Sequence, residues 1–183
     1  MFLDLNQHKY ETDVIPFIKN GIIIDTSVID IIVEGLIETR IAKKKLSQCQ
    51  DYQNLLVFFD LMKLTNKFDR FCITPHILTE VCNHFRNRYS KRQDYAGLID
   101  EVMPLMRDFQ EHVVEKTEVL NRVDLKNPVI EIGDLSIFVA ADAIVISGKK
   151  IAILSRDREL NRVYASDSKV LVMDFEIVVL NRV

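Results

Sequence analysis

The stretch GIIIDTSVID, from Gly21 to Asp30, places three consecutive isoleucines directly before an aspartate. An uninterrupted apolar run of this kind predicts a strand that is buried on both faces, as in a parallel sheet. We expect this strand over residues 21–25. An ionised carboxylate in such a place is costly unless it is paired, hydrogen-bonded or bound to a metal ion. Asp25 therefore either begins the turn into the next helix or belongs to a polar site.

Strand-like and helical segments alternate along the rest of the chain. The further predicted strands are 71–73, 151–155 and 169–175, and the predicted helices are 27–46, 51–67, 75–92, 97–116, 134–149 and 156–164. Thr74 is the expected N-cap of the helix 75–92, with Pro75 at its first position. Pro104 is expected to kink or break the helix 97–116, and residues 117–125 are expected to form a short strand or a turn. This alternation predicts an α/β domain with a parallel sheet covered on both faces.

Length and composition indicate one soluble domain, with residues 1–20 as an N-terminal extension and 21–183 as the domain itself. The chain has 183 residues, of which 48% are hydrophobic, enough for one sizeable core. Its net charge of −3 argues against general coating of nucleic acid but not against a local basic patch. We find no signal peptide and no apolar stretch long enough for a membrane span, and three cysteines without a C-x-x-C pair indicate free buried thiols. A cytoplasmic protein with no membrane partner is expected.

Four carboxylates are expected at one edge of the predicted sheet. Asp25 ends the first strand, and Glu80 lies in the helix after the second. Asp134 stands at the start of the helix opened by IGDLSIF, and Asp157 closely follows the strand IAIL. The carboxyl ends of parallel strands and the starts of the helices that follow them share one edge. Each residue alone could be a helix cap or a solvated side chain, but together they favour a functional acidic site.

Four like charges in a small volume repel one another, so the charged form of such a site requires cations. Oxygen ligands without a suitable Cys/His set favour Mg²⁺ or Mn²⁺ over zinc. The mixed group Cys72, His76, Cys82 and His84 has a spacing that matches no common zinc pattern. Ions of this kind activate water and neutralise charge on a phosphodiester, which points to metal-dependent phosphoryl chemistry.

Four segments, IIIDTSV, TPHILTEVCN, GDLSIFVAA and ILSRDREL, resemble in their order the PIN-domain nucleases, including the VapC-type toxins. The resemblance covers roughly residues 21–175. The family's acidic positions match Asp25, Glu80, Asp134 and Asp157, and its hydroxyl-bearing positions match Thr26, Ser27 and Ser155.

The resemblance implies a three-layer α/β/α sandwich and a metal-dependent ribonuclease. It implies that the four carboxylates bind one or two Mg²⁺ or Mn²⁺ ions and are catalytic, and that a metal-activated water attacks the phosphorus in line, leaving a 5′-phosphate and a 3′-hydroxyl. Homodimers are frequent in the family. Whether an antitoxin-like protein covers the site is left open.

A basic stretch begins four residues after Glu80, on the same predicted helix. The segment HFRNRYSKRQ, residues 84–93, holds four cationic side chains around Tyr89: Arg86, Arg88, Lys91 and Arg92. Cations beside an aromatic ring suit single-stranded nucleic acid, so these residues are candidates for binding the RNA backbone. A solvated helix face is the alternative. Ser27 and Ser155 are further substrate-site candidates that could orient a metal-bound water, although helix capping explains them equally well.

Two rival functions are considered. A haloacid-dehalogenase-like phosphatase also carries an aspartate after its first strand, but it needs a second acid two residues on, where this chain has Ser27. The other rival is a PIN-like module that binds RNA or a partner protein and has little or no activity. Asp30 and Asp142 are expected at the surface, with Asp142 paired to a basic residue, and His84 is a minor candidate for substrate contact.

Overall fold

A computed structural model describes residues 10–123, 131–164 and 166–180. Five parallel strands form one sheet in the order β3-β2-β1-β4-β5, and helices cover it to give a three-layer α/β/α sandwich. The fold class expected from the sequence is confirmed. The strands are β1 (Ile22–Ile24), β2 (Phe71–Ile73), β3 (Gln110–Glu111), β4 (Ile151–Leu154) and β5 (Val170–Met173).

Helices connect the strands and account for most of the remaining described chain. The longer ones are α2 (Thr26–Leu36), α3 (Gln50–Leu61), α4 (Pro75–Tyr89), α5 (Tyr95–Asp108) and α7 (Ile132–Ile146). The short ones are α1 (Ile15–Ile18), α6 (Lys116–Asn121), α8 (Arg158–Val163) and α9 (Phe175–Leu180). None of the helices in the described ranges is long and apolar enough to cross a membrane.

Strand β1 lies in the middle of the sheet, as its three isoleucines predict. All three are fully buried, and β1 pairs in parallel with β2 on one side and β4 on the other. Ile23 is in register with Cys72 and with Ile153. A central parallel strand is covered on both faces, which is why its sequence is apolar throughout rather than alternating.

The N-terminal extension contributes to the domain where the structure describes it. Residues 10–18 are helical, beginning with a π-helical turn that leads into α1. Val14 and Phe17 are buried in the same apolar core as the strands. The part of the extension before Tyr10 lies outside the described residues.

Two predictions for the segment between α5 and α7 are wrong: the end of α5 and the structure of the residues after it. Helix α5 ends at Asp108 rather than near residue 116, and Pro104 lies inside it without ending it. A strand that the sequence did not predict, β3, follows α5 and pairs with β2 at the edge of the sheet. Its two residues are polar and exposed, so no apolar run signalled a strand there. Residues 116–121 form helix α6 rather than a strand or turn, and 124–125 lie outside the described chain.

Other differences concern helix ends and one cysteine. The helix predicted over 27–46 consists of α2 and a π-helical turn that ends at Ile41. The helix predicted over 51–67 ends at Leu61, and the one predicted to reach Arg92 ends at Tyr89. All three cysteines are free, as expected, but Cys82 is exposed rather than buried.

Candidate functional site

The strand order reverses direction between β1 and β4, and this point is where open α/β sheets place their ligands. Asp25 directly follows β1, and its backbone N–H donates to the carbonyl oxygen of Leu154, the last residue of β4, at 3.0 Å. Ser155 directly follows β4. The sheet therefore brings residues that are 130 positions apart in sequence to the same edge.

An open cleft of about 490 Å³ lies at this edge. Its walls come from the starts of α2 and α7, the middle of α4 and the segment after β4. The residues that line it are Asp25, Thr26, Ser27, Asp30, Glu80, His84, Glu131, Asp134, Arg156 and Asp157. All four carboxylates predicted from the sequence are in this set. The prediction that they converge is confirmed.

Asp25 is the most buried of the four carboxylates, with 6% of its surface exposed. Ser27 Oγ donates to its Oδ2 at 2.7 Å, and Ser155 Oγ donates to the same oxygen at 2.8 Å. Burial raises the pKa of Asp25 above its ordinary value, while the two hydroxyls oppose that rise. The two serines thus support the charged form of Asp25 rather than capping a helix.

Glu80 is held against the end of β1 by Thr26, whose Oγ1 donates to Glu80 Oε2 at 3.0 Å. The same offset of 54 residues recurs twice further along α2 and α4. His84 Nδ1 lies 2.7 Å from Asp30 Oδ2.

Arg88 Nη1 lies 2.9 Å from Glu34 Oε2 and makes the last of these three cross-links. Because each step is four residues on both helices, one turn apart, the cross-links form a ladder between α2 and α4. The ladder begins in the cleft and fixes where Glu80 stands relative to Asp25.

Asp134 lies in the first turn of α7, and its carboxyl group has a pKa raised to about 7. Burial is the main cause, followed by the negative charges of Asp25 and Asp157 and, to a lesser degree, of Glu131 and Glu80. Burial and the neighbouring carboxylates together disfavour the charged form of Asp134.

Two buried hydroxyls hold the start of α7 beside the start of α4. Thr74 caps α4 by accepting from the N–H of Ile77, as predicted, and its Oγ1 lies 2.7 Å from Ser136 Oγ. Ser136 donates in turn to the carbonyl oxygen of Gly133. Glu80 and Asp134 are thus carried on helices whose first turns are joined by hydrogen bonds.

Asp157 follows β4 by three residues, and its backbone N–H donates to Ser155 Oγ at 2.8 Å. Ser155 therefore links the segment that carries Asp157 to the carboxylate of Asp25. Helices α2, α4 and α7 all begin at this edge, and their N-terminal ends carry partial positive charge. That charge offsets part of the cost of grouping carboxylates here.

The donor set of the cleft fits a hard divalent cation better than zinc. Asp25, Glu80, Asp134 and Asp157 offer carboxylate oxygens, the ligands that Mg²⁺ and Mn²⁺ prefer. The raised pKa of Asp134 indicates charge that a cation would stabilise. In the described ranges, no three Asp, Glu, His or Cys side chains are arranged so that they could hold a metal ion as they stand. The fit therefore rests on donor chemistry and charge, not on preset coordination geometry.

Of the predicted basic stretch, residues 84–93, His84 lines the cleft. None of its four cations lines the cleft among the described residues: Arg86, Arg88, Lys91 and Arg92. Arg88 is paired with Glu34, and Arg92 with Asp94. Tyr89 is buried against Phe85, so its ring is not available for stacking as predicted. Contact between the four exposed cations and RNA stays a prediction.

Ser155 also departs from its predicted role. Its side chain is 0% exposed and is engaged by Asp25 and by the N–H of Asp157. Ser155 therefore positions a carboxylate from behind instead of touching substrate. Ser27 lines the cleft, but its hydroxyl is likewise directed to Asp25.

Three cleft residues were not selected from the sequence, Asp30, Glu131 and Arg156, and a fourth, His84, was only a minor candidate for substrate contact. Helical spacing offered a signal for two of them, because Asp30 lies just over a turn beyond Asp25, and His84 lies one turn beyond Glu80. Arg156 carried no such signal. Its guanidinium pairs with Asp51 at 3.2 Å and Glu176 at 2.8 Å, contacts that only the folded chain creates. Asp142 pairs with Arg122, as expected.

The chain was also compared with known proteins. It matches none of the protein-family models, and no curated protein matches it.

Proposed function

We propose that this protein is a PIN-like ribonuclease that hydrolyses RNA phosphodiester bonds with the help of Mg²⁺ or Mn²⁺. The observation that carries the proposal is the convergence of four carboxylates in one cleft at the strand-order reversal. The resemblance of the four sequence segments to the PIN-domain nucleases supports the same reaction class. A divalent cation bound there would neutralise charge on the phosphodiester and activate a water molecule.

The four carboxylates share one role, and neighbouring hydroxyl groups position two of them. Asp25, Glu80, Asp134 and Asp157 hold the cation. Hydroxyl groups keep two of them in place: Ser27 and Ser155 both donate to Oδ2 of Asp25, and Thr26 donates to Glu80. This support fixes side-chain rotamers before substrate arrives, which is the requirement for a preorganised site. Arg156 is a cation on the same wall, held by Asp51 and Glu176, and is the candidate to contact an RNA phosphate.

The test is replacement of Asp25 by asparagine. Both serine hydroxyls bond to one oxygen of Asp25, so the amide oxygen of asparagine can accept them and the fold should persist. We expect Mn²⁺ binding, measured by calorimetry, to be lost, and cleavage of single-stranded RNA to fall at least about a hundredfold. Asp60→Asn, at an exposed position on α3, makes the same charge change and should alter neither.

Two results would count against the proposal. Equal Mn²⁺ affinity in the wild type and Asp25→Asn would mean that the cleft is not the metal site. Metal binding without any cleavage of RNA would leave a binding function in its place.

Gly133→Ala offers a milder perturbation of the same site. A Cβ at this position would come within 2.6 Å of Glu80 Oε2, the oxygen that accepts from Thr26. The clash is with the end of a flexible side chain, so Glu80 should move while the fold stays intact. We expect a change of less than about 1 kcal/mol in the free energy of unfolding but a roughly tenfold weaker Mn²⁺ affinity. Unchanged affinity would show that Glu80 is not needed for the ion.

The second candidate is a PIN-like module that binds RNA or a partner protein without cutting. The absence of a ready three-ligand group in the described part of the chain favours it. An antitoxin-like protein covering the cleft and a homodimer are further proposals, which the resemblance alone supports. A cytoplasmic location is another, which rests on the sequence composition and its cysteines. Sedimentation of the purified protein would test the homodimer. Cleavage of RNA measured with and without the protein encoded by the neighbouring gene would test the antitoxin-like partner.

A further inference from the structure

A second groove, of about 640 Å³, adjoins the acidic cleft. It lies between the first turns of α4 and α7, which the Thr74–Ser136 hydrogen bond holds side by side. Its lining residues are Pro75, His76, Thr79, Glu80, Glu131, Ile132 and Gly133. Glu80 and Glu131 line both the groove and the cleft, so a molecule in one can extend directly into the other.

The walls of this groove differ in chemistry from those of the cleft. Pro75 and Ile132 are apolar, and Ile132 is 51% exposed although it begins a helix whose next turns are buried. The cleft, in contrast, is lined almost entirely by charged and hydroxyl side chains. An apolar slot beside a polar reaction centre is the usual form of a site for a flat, partly apolar group.

His76 adds a ring with an unusual environment. Its Nδ1 is buried and has no hydrogen-bond partner among the described residues. A buried polar atom without a partner is rare and is often found at a functional site. His76 also lines the groove. Its ring offers a face for stacking and, at Nε2, a second nitrogen for hydrogen bonding.

From this juxtaposition we propose that the groove binds a nucleobase of the same RNA strand whose phosphate enters the acidic cleft. The inference rests on the proposed function, since it names how the substrate is held. Pro75 and Ile132 cover the faces of the base, and His76 meets its edge. A shared wall at Glu80 places the base within one nucleotide of the reacting phosphate.

The experiment compares an intact single-stranded RNA with strands that carry one abasic nucleotide on either side of the mapped cut. In the wild type, one of the two abasic strands should be cleaved with a kcat/KM lower by roughly 5- to 100-fold, the worth of one stacked base. In Ile132→Ser, the intact strand should lose a similar factor, and the abasic strand should lose almost nothing further. Ile146→Ser, at an 85% exposed position at the other end of α7, is the matched control and should behave as wild type.

The outcomes separate the two proposals. If the wild type cleaves both abasic strands as fast as the intact one, or if the abasic penalty is unchanged in Ile132→Ser, the groove does not bind a base while the nuclease assignment stands. If nothing is cleaved, the nuclease assignment fails. In that case, fluorescence anisotropy measures the dissociation constants of the intact RNA and of a fully abasic strand of equal length. Equal dissociation constants for the two strands would overturn the base site, as would an unchanged difference in Ile132→Ser.

Discussion

Gly35→Ala should destabilise the protein more than the same substitution at any other glycine in a helix. Gly35 lies near the end of α2, where its backbone meets the Tyr52 ring of α3. An added Cβ would stand 2.0 Å from Cγ of Tyr52 and 2.4 Å from both Cδ atoms. Cγ joins the ring to the rest of the side chain, so a small movement of the ring's far end cannot relieve the clash. Either the whole Tyr52 side chain or the spacing of α2 and α3 has to change.

The expected cost is about 3 kcal/mol or more in the free energy of unfolding, because overpacking between helices exceeds the small gain in helix propensity. Denaturant unfolding followed by circular dichroism measures it. Gly97→Ala is the matched control, because Gly97 lies in α5 with nothing within 4 Å of the added Cβ. That variant should be more stable by up to about 1 kcal/mol. Equal stabilities for the two variants would contradict the close approach of α2 and α3.

The central part of the fold could be predicted because local sequence signals agreed with it. The apolar runs at β1, β4 and β5 have the composition that a parallel strand covered on both faces requires. Thr74 and Pro75 marked the start of α4 by an N-cap and a first-turn proline. Strand β3 had no comparable signal, because two exposed polar residues become a strand only through pairing with β2.

The four carboxylates could be predicted for a related reason. Their convergence follows from topology. Asp25 and Asp157 lie just after strands, and Glu80 and Asp134 are on helices that begin at the same edge of the parallel sheet. The hydrogen bonds that support them could not be predicted, since Ser155 reaches Asp25 across 130 residues. The pairing of the basic stretch could not be predicted either. Two of its cations are neutralised by Glu34 and Asp94 through contacts that the sequence does not reveal.

Asp134→Asn should make the cation-free protein more stable at neutral and alkaline pH. The pKa of Asp134 is raised from 3.8 to about 7 in the folded chain. Between these two values the folded state binds more protons than the unfolded state, so the free energy of unfolding falls as pH rises. Below about pH 4 the carboxyl is protonated in both states and contributes nothing. Asparagine removes the penalty because it carries no charge.

The gain should therefore be close to zero near pH 4 and reach a plateau above about pH 7. We expect about 1–2 kcal/mol on the plateau, after allowance for solvent screening of a carboxyl that is only partly buried. Urea unfolding at a series of pH values measures the gain. Asp60→Asn, which alters an exposed carboxylate on α3, should show no such dependence on pH.

A divalent cation should reverse the order of stability. If the carboxylates of the cleft hold Mn²⁺, saturating metal offsets the repulsion at Asp134 and raises the Tm of the wild type by mass action. The Asp134→Asn variant has lost a ligand and should gain little. At neutral pH, metal binding to the wild type should also release protons, because the carboxyl must ionise to bind. Calorimetry in buffers of different ionisation enthalpy detects that release. If Asp134→Asn is no more stable than the wild type at alkaline pH, the charge repulsion at Asp134 is refuted. If Mn²⁺ raises the Tm of the wild type and of Asp134→Asn equally, the metal binds elsewhere.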